Sequence, residues 1–94
     1  MRKYEMIYIL KAHDEEVIEA TVAKFDAVIT AQGGTIEKTD RWGKRRLAYP
    51  IQDLTEGYYV LQHIVGEPAV IKELDRVMKI SEELLRHMIV VIEE

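Results

Sequence analysis

The sequence predicts an α+β fold of four strands and two helices in the order β-α-β-β-α-β. Segments rich in aromatic and β-branched residues alternate with two segments whose apolar residues recur every three or four positions. Glycines and prolines separate these segments, and 94 residues suffice for one two-layer core. This is the split-βαβ, ferredoxin-like order, which predicts a four-stranded antiparallel sheet with both helices on one face. Residues 1–94 are therefore expected to form a single domain.

The first strand is expected over residues 3–10 and the first helix over residues 14–32. Asp14 is a suitable N-cap for this helix, and Gly33 and Gly34 can end it. Strand periodicity gives the first strand two faces, with Tyr4, Met6, Tyr8 and Leu10 on one and Lys3, Glu5, Ile7 and Ile9 on the other. The apolar stripe of the helix comprises Ile18, Val22, Phe25 and Ile29.

The second strand is expected to begin at Thr35, to bulge or bend at Gly43 and to stop at Pro50. Residues 53–57 are typical of a turn, and residues 58–65 of a third strand. Pro68 suits the first turn of a second helix over residues 68–80. Residues 84–92 are expected to form the last strand. The core stripe of the second helix is predicted to be Ile71, Leu74 and Met78, flanked by Val70 and Val77.

Two helices can cover only one face of such a sheet, yet the first and third strands have apolar side chains on both faces. The sequence leaves open which face of the third strand meets the helices. The alternatives are Tyr58, Val60 and Ile64 or Tyr59, Leu61 and Val65. Either choice leaves apolar residues on the bare face. Single exposed apolar residues are common, but their recurrence on adjacent strands favours a docking surface.

Composition limits the classes of function. The chain has no cysteine, which excludes disulfides and thiolate chemistry, and no apolar run approaches the roughly 20 residues of a membrane helix. Charges at the N-terminus do not fit a signal peptide, so a cytoplasmic protein without membrane contact is expected. The net charge of −4 means that any RNA site must be a local basic patch.

One such patch is visible in the second strand. Residues 38–46 contain five of the thirteen basic residues, with Trp42 among them. Guanidinium groups bind phosphate through paired hydrogen bonds, and an exposed indole can stack on an unpaired base. Charges on an edge strand also prevent aggregation of sheets, so this function remains an alternative or an addition. The five basic residues are Lys38, Arg41, Lys44, Arg45 and Arg46.

No catalytic, metal or cofactor site is expected. His13, His63 and His87 are far apart and lack a metal-binding spacing, and Ser81 lacks the glycines of a nucleophile elbow. Gly33 and Gly34 do not have the spacing of a phosphate loop. The sequence therefore indicates neither an enzyme nor a small-molecule substrate.

Three segments together resemble the bacterial small-subunit ribosomal protein six family, over essentially the whole chain. The most specific of them is W-G-K-R-R-L-A-Y-P-I at residues 42–51; the others are M-R-K-Y-E at residues 1–5 and K-I-S-E-E-L-L-R at residues 79–86. The resemblance implies a structural protein that binds the central domain of small-subunit ribosomal RNA. It also implies a heterodimer with small-subunit ribosomal protein eighteen.

Positions that match the family motifs are implied to contact RNA or the partner. We expect Arg2 and Arg86 to contact RNA, because the first and last strands can share one patch. Many family members continue into a tail, whereas this sequence stops at Glu94, so a tail contact is expected to be missing or weaker. The acidic end at residues 92–94 also makes an RNA contact there doubtful. The matching positions are Arg2, Tyr4, Arg45, Arg46, Tyr49 and Arg86; Arg41, Trp42 and Lys44 join them from the basic segment.

Two other classes of function remain as alternatives. One is a regulatory domain of the same fold that dimerises through its sheet and holds a small ligand. The other is a small dimeric sheet enzyme that uses His63 or His87. A stable homodimer indifferent to RNA and to the partner would favour the regulatory domain.

Overall fold

Four antiparallel strands form one sheet in the order β2-β3-β1-β4, and both helices pack on the same face of it. This computed structural model describes residues 1–12 and 14–93, so the expectations for His13 and Glu94 lie outside the described residues. The predicted fold class is confirmed. The elements are β1 (Arg2–Lys11), α1 (Glu15–Ala31), β2 (Thr35–Ile51), β3 (Leu54–Gly66), α2 (Pro68–Lys79) and β4 (Leu84–Glu93).

The ends of both helices agree with the sequence signals. The carboxylate of Asp14 accepts hydrogen bonds from the amides of Glu16 and Val17 at 2.9 and 3.3 Å, as an N-cap does. Helix α2 starts at Pro68, as predicted. Both helices end one residue before the predicted position. Neither helix within the described ranges is long and apolar enough to cross a bilayer.

The core decides which face of each strand is covered. On β1 the helix-facing residues are those of the Tyr8 face, and on β3 they include Val60 and Ile64. The α2 stripe differs from the prediction, because Ile71 is half-buried whereas Val70 and Val77 are buried. Positions 70, 74, 77 and 78 share one side of the helix, which places Ile71 at its margin. The core contains Met6, Tyr8, Leu10, Ile18, Val22, Phe25, Ile29, Val60, Ile64, Val70, Leu74, Val77 and Met78.

The β2–β3 hairpin is longer than predicted. Only Gln52 and Asp53 form the turn, with φ of 51° and 63°, and β3 begins at Leu54. The expected turn over 53–57 is therefore wrong. A two-residue loop with positive φ at both positions matches the twist of the strands, so the hairpin needs no longer turn. The glycine that suggested a turn, Gly57, lies inside β3 opposite Lys11.

The bulge predicted near Gly43 is confirmed. The pairing of β2 with β3 shifts between Arg41 and Gly43, and Gly43 has a φ of 80°, which glycine adopts without strain. Trp42 is the extra residue at this shift. The bulge therefore changes the phase of β2 and decides which of its side chains reach each face of the sheet.

Candidate docking and nucleic-acid interface on the open sheet face

The face of the sheet opposite the helices, called the open face below, has an apolar half. Ile7 of β1 pairs with Leu61 of β3 on one side and Met88 of β4 on the other. Ile9 pairs likewise with Tyr59 and Arg86. Residues paired across antiparallel strands project to the same face, so these side chains form one continuous surface.

An aromatic pair lies at the β2 side of this surface. The rings of Trp42 and Tyr59 stack with centroids 6.2 Å apart and planes 15° from parallel. Because Tyr59 belongs to the open face, this contact places the Trp42 indole there too. The indole is still 41% exposed, so one of its surfaces remains accessible to a base or a side chain.

Arg86 and Tyr49 are in contact at the β4 side of the open face. The last pair between β1 and β3 joins Lys11 to Gly57, so the hairpin beyond it extends past the end of β1. This extension brings Tyr49 to β4, where its hydroxyl accepts a hydrogen bond from Nη1 of Arg86. The guanidinium carbon of Arg86 also lies 5.6 Å from the centre of the Tyr49 ring. Two residues expected at the site are thus brought together.

A shallow groove runs along this part of the open face. Its volume is about 180 Å³, and Ile7, Ile9 and Met88 line it. Arg86 and His87 complete the lining, so a cation lies beside an apolar floor. Such a groove suits an apolar side chain of a partner that carries a carboxylate or phosphate nearby.

The five basic residues of β2 do not form one surface. Arg41, Lys44 and Arg46 pair with Val60, Tyr58 and Glu56, which follows the helix-facing side. Lys38 and Arg45 pair with His63 and Gly57, on the open side. Because a strand alternates its side chains and the Trp42 bulge shifts the phase, sequence clustering did not translate into spatial clustering.

Arg41 has an intramolecular partner. Its Nη1 donates a hydrogen bond to the Glu19 carboxylate of α1, and this bond raises the pKa of Arg41 above its usual value. The pair tethers the middle of β2 to the helix layer. The Arg41 guanidinium is therefore engaged by Glu19 on the helix side of the sheet, whereas Trp42 lies on the open face.

Two other expected residues do not join the open face. Tyr4 is 4% exposed and lies in the helix-covered core, so its side chain packs inside the protein. Arg2 pairs with Gly66, seven residues along β1 from the position opposite Arg86. That separation corresponds to about 23 Å, and the two side chains follow opposite faces. The expectation that Arg2 and Arg86 share one patch is therefore wrong.

The half of the open face nearer the start of β1 is largely polar, although Val90 of β4, opposite Glu5, continues the apolar surface into it. His63 and Glu5 interact at 3.2 Å, and Lys3 and Glu37 at 3.5 Å. His87 instead bonds Asp75 at 2.7 Å on the helix side. Within the described ranges, no group of three His, Asp or Glu side chains could hold a metal ion.

Sequence reasoning missed part of the apolar surface. Met88 and Val90 are 58% and 41% exposed, and Leu47 is buried beside Gly57 on the open side. The alternation of β4 contained this signal, because Met88 and Val90 share a strand face with Arg86. The sequence did not show which face of β4 the helices cover, so these residues could not be assigned to the open face.

Comparisons with known proteins agree on one family. The family model for ribosomal protein S6 matches residues 3–91. The chain is 54% identical over 90 residues to small ribosomal subunit protein bS6 of Exiguobacterium sibiricum, covering 95% of each protein. It is 50% identical over 91 residues to that of Desulforamulus reducens, covering 96% of each. The crystal structure of 30S ribosomal protein S6 from Thermotoga maritima superposes with a TM-score of 0.90 at 27% identity, covering 96% of this chain and 86% of that one.

Proposed function

Because the chain belongs to the ribosomal protein S6 family, we propose that it binds the central domain of small-subunit ribosomal RNA together with small-subunit ribosomal protein eighteen. The chain is a component of the small ribosomal subunit, in a family of structural proteins that are not enzymes. It therefore works on the ribosome, in the cytoplasm. The proposal concerns which macromolecules its surfaces contact.

The observation that carries the proposal is the apolar half of the open face. Trp42, Met88 and Val90 are each at least 41% exposed on neighbouring parts of one surface. Leaving such a patch in water is unfavourable by roughly 25 cal/mol for each Å² of apolar area. A protein partner that covers the patch removes this cost, so we assign the apolar half to protein eighteen.

The basic hairpin supports an RNA contact beside that interface. Lys44 and Arg45 lie level with the end of β1, and Arg46 begins the hairpin extension; all three are exposed. Their side chains project to both faces, so they can contact phosphates on either side of the hairpin. Arg86 and Tyr49 lie between hairpin and open face and can serve either ligand. The proposal omits Tyr4 and Arg41, which are buried and ion-paired respectively.

The net charge of −4 makes strong binding of RNA by this chain in isolation unfavourable. Protein eighteen would complete a composite surface with greater affinity for RNA. Because such coupling is reciprocal, RNA must tighten the protein–protein pair by the same factor. The proposal therefore requires two factors to be equal: the gain in RNA affinity caused by protein eighteen and the gain in affinity for protein eighteen caused by RNA.

Isothermal titration calorimetry tests the cycle with a central-domain fragment of small-subunit ribosomal RNA and purified protein eighteen. We expect weak RNA binding by the chain, and tighter binding once protein eighteen is present. Equal RNA affinity with and without protein eighteen contradicts the proposal. Met88→Asp should weaken binding of protein eighteen, whereas Ile80→Asp is a matched control, since Ile80 is 69% exposed but lies outside the sheet.

A further inference from the structure

The two outer strands of the sheet have very different edges. The β2 edge carries alternating charges and three register shifts, both of which hinder pairing with a further strand. Strand β4 forms the opposite edge of the sheet in the described chain. Its pairing with β1 is regular from Arg86 to Val91, with shifts restricted to the two ends. The β4 edge thus offers a straight row of backbone donors and acceptors.

The side chains on this edge are apolar on both faces. Met88 and Val90 follow the open face, whereas Val91, which pairs with Tyr4, follows the helix side. Residues 88–92 contain no charged residue, and Met88, Val90, Val91 and Ile92 are between 41% and 58% exposed. Proteins normally protect such an edge with lysine, proline or a bulge. Residues 88–91 contain neither lysine nor proline, and their pairing with β1 is regular; the register shift comes only after Val91.

We infer that the β4 edge accepts an extended segment of the protein partner, which adds a fifth strand along residues 88–91. The inference rests on the proposed function, because it assigns this edge to the same protein that covers the open face. Met88 and Val90 belong to both surfaces, so a partner on the open face reaches the edge without a gap. Backbone hydrogen bonds would supply affinity, and alternate side chains would supply specificity.

The edge also defines the chemistry of the segment. It must be extended, with apolar side chains at alternate positions that continue the Met88 and Val90 rows. At the end near Arg86, the side chain of Arg86 is engaged by Tyr49, so the strand would begin beyond this pair. An acidic residue of the segment would be favourable there, beside the guanidinium of Arg86.

Amide hydrogen exchange measured by NMR distinguishes strand addition from docking on the open face. In antiparallel pairing, alternate residues direct their N–H groups to the same neighbour, so every second amide of residues 86–91 faces away from β1. We expect protein eighteen to slow exchange of these outward amides about tenfold or more. Docking on the face without strand addition leaves their exchange fast.

A pair of variants provides the second arm. Val91→Lys places a charge beside the edge but away from the open face, whereas Ile80→Lys adds the same charge outside the strands. We expect Val91→Lys to weaken binding of protein eighteen about tenfold, and Ile80→Lys to change it less than about twofold. Equal affinities of both variants, with outward amides unprotected in the complex, would overturn the inference.

Three outcomes that would overturn the inference can be told apart. Protection that rises with the concentration of this chain, without protein eighteen, would identify a second copy as the occupant of the edge. Failure of protein eighteen to bind at all would remove both this inference and the proposed function. Binding to the open face with an unprotected edge would remove only the inference.

Discussion

Arg86 on β4 holds Tyr49, thirty-seven residues earlier in the chain, by two contacts of one side chain. Its Nη1 donates to the Tyr49 hydroxyl, and its guanidinium carbon lies 5.6 Å from the ring centre. The contact fastens the far end of the β2–β3 hairpin to the opposite outer strand. The contact therefore defines one margin of the open face in the free protein.

A double-mutant cycle with Arg86→Ala and Tyr49→Ala should measure this contact. We expect a coupling free energy of about 0.5–1 kcal/mol in urea unfolding, because Tyr49 is 55% exposed and exposed cation–π contacts are weak. Tyr49→Phe should retain part of the coupling, since the ring remains. Additive single effects would show that the pair does not persist in solution.

Phe25 is the test of the core. Its ring is fully buried and meets Tyr8 edge-on, with centroids 5.4 Å apart and planes at 85°. Phe25→Ala should lower the free energy of unfolding by about 3–5 kcal/mol, because it removes a large side chain and leaves a cavity. Chemical denaturation measures the loss. A loss below about 1 kcal/mol would contradict this packing.

Gly57 permits close contact between β3 and its neighbours. A Cβ atom at this position would clash with Cγ2 of Ile9 and would lie 3.1 Å from Cδ2 of Leu47. Gly57→Ala should therefore destabilise the protein by about 1–3 kcal/mol, measured by chemical denaturation. Adding Ile9→Ala should recover part of the loss by removing the nearest atom. A fully additive double variant would argue against the clash.

The order of elements was predictable because each has its own local signal. The Asp14 cap, the Pro68 start and the period of α1 act over a few residues. The faces of β3 and the phase of β2 were not predictable, because the helix layer and the Trp42 bulge decide them. Local sequence signals also could not place Tyr4 and Arg2. The burial of Tyr4 depends on tertiary packing, and the distance of Arg2 from Arg86 depends on strand direction.

Asp75 should make stability depend on pH. It contacts Lys79 at 2.9 Å and His87 at 2.7 Å, and these hydrogen bonds, that of Lys79 first, lower the pKa of Asp75 below its usual value of 3.8. A lowered folded-state pKa means that the stabilisation is complete above the unfolded pKa and is lost as pH falls through the folded pKa. The stability difference between the unmodified protein and Asp75→Asn should therefore shrink as the pH falls from about 5 towards about 2. Thermal unfolding followed by circular dichroism checks this, and a constant difference would contradict it.

Arg45 and Arg46 project to opposite faces of β2, which allows their functions to be separated. If both contact phosphates of a duplex, each change to Ala should weaken binding of the RNA fragment in complex with protein eighteen. Each should also reduce the slope of log affinity against log salt by about 0.9. The reduction should be similar across RNA sequences, since phosphate contacts do not read bases.

The alternatives for Arg45 and Arg46 predict different results for the same two variants. If these residues only protect an edge strand, RNA affinity and salt slope should remain unchanged while the isolated variants self-associate, because the strand loses its charged cover. If they contact protein eighteen, its affinity should fall with an unchanged RNA slope. Sedimentation velocity and salt titrations on both variants decide among the three outcomes. We expect RNA binding to weaken for both, because both side chains are exposed where the β2–β3 hairpin runs past the end of β1.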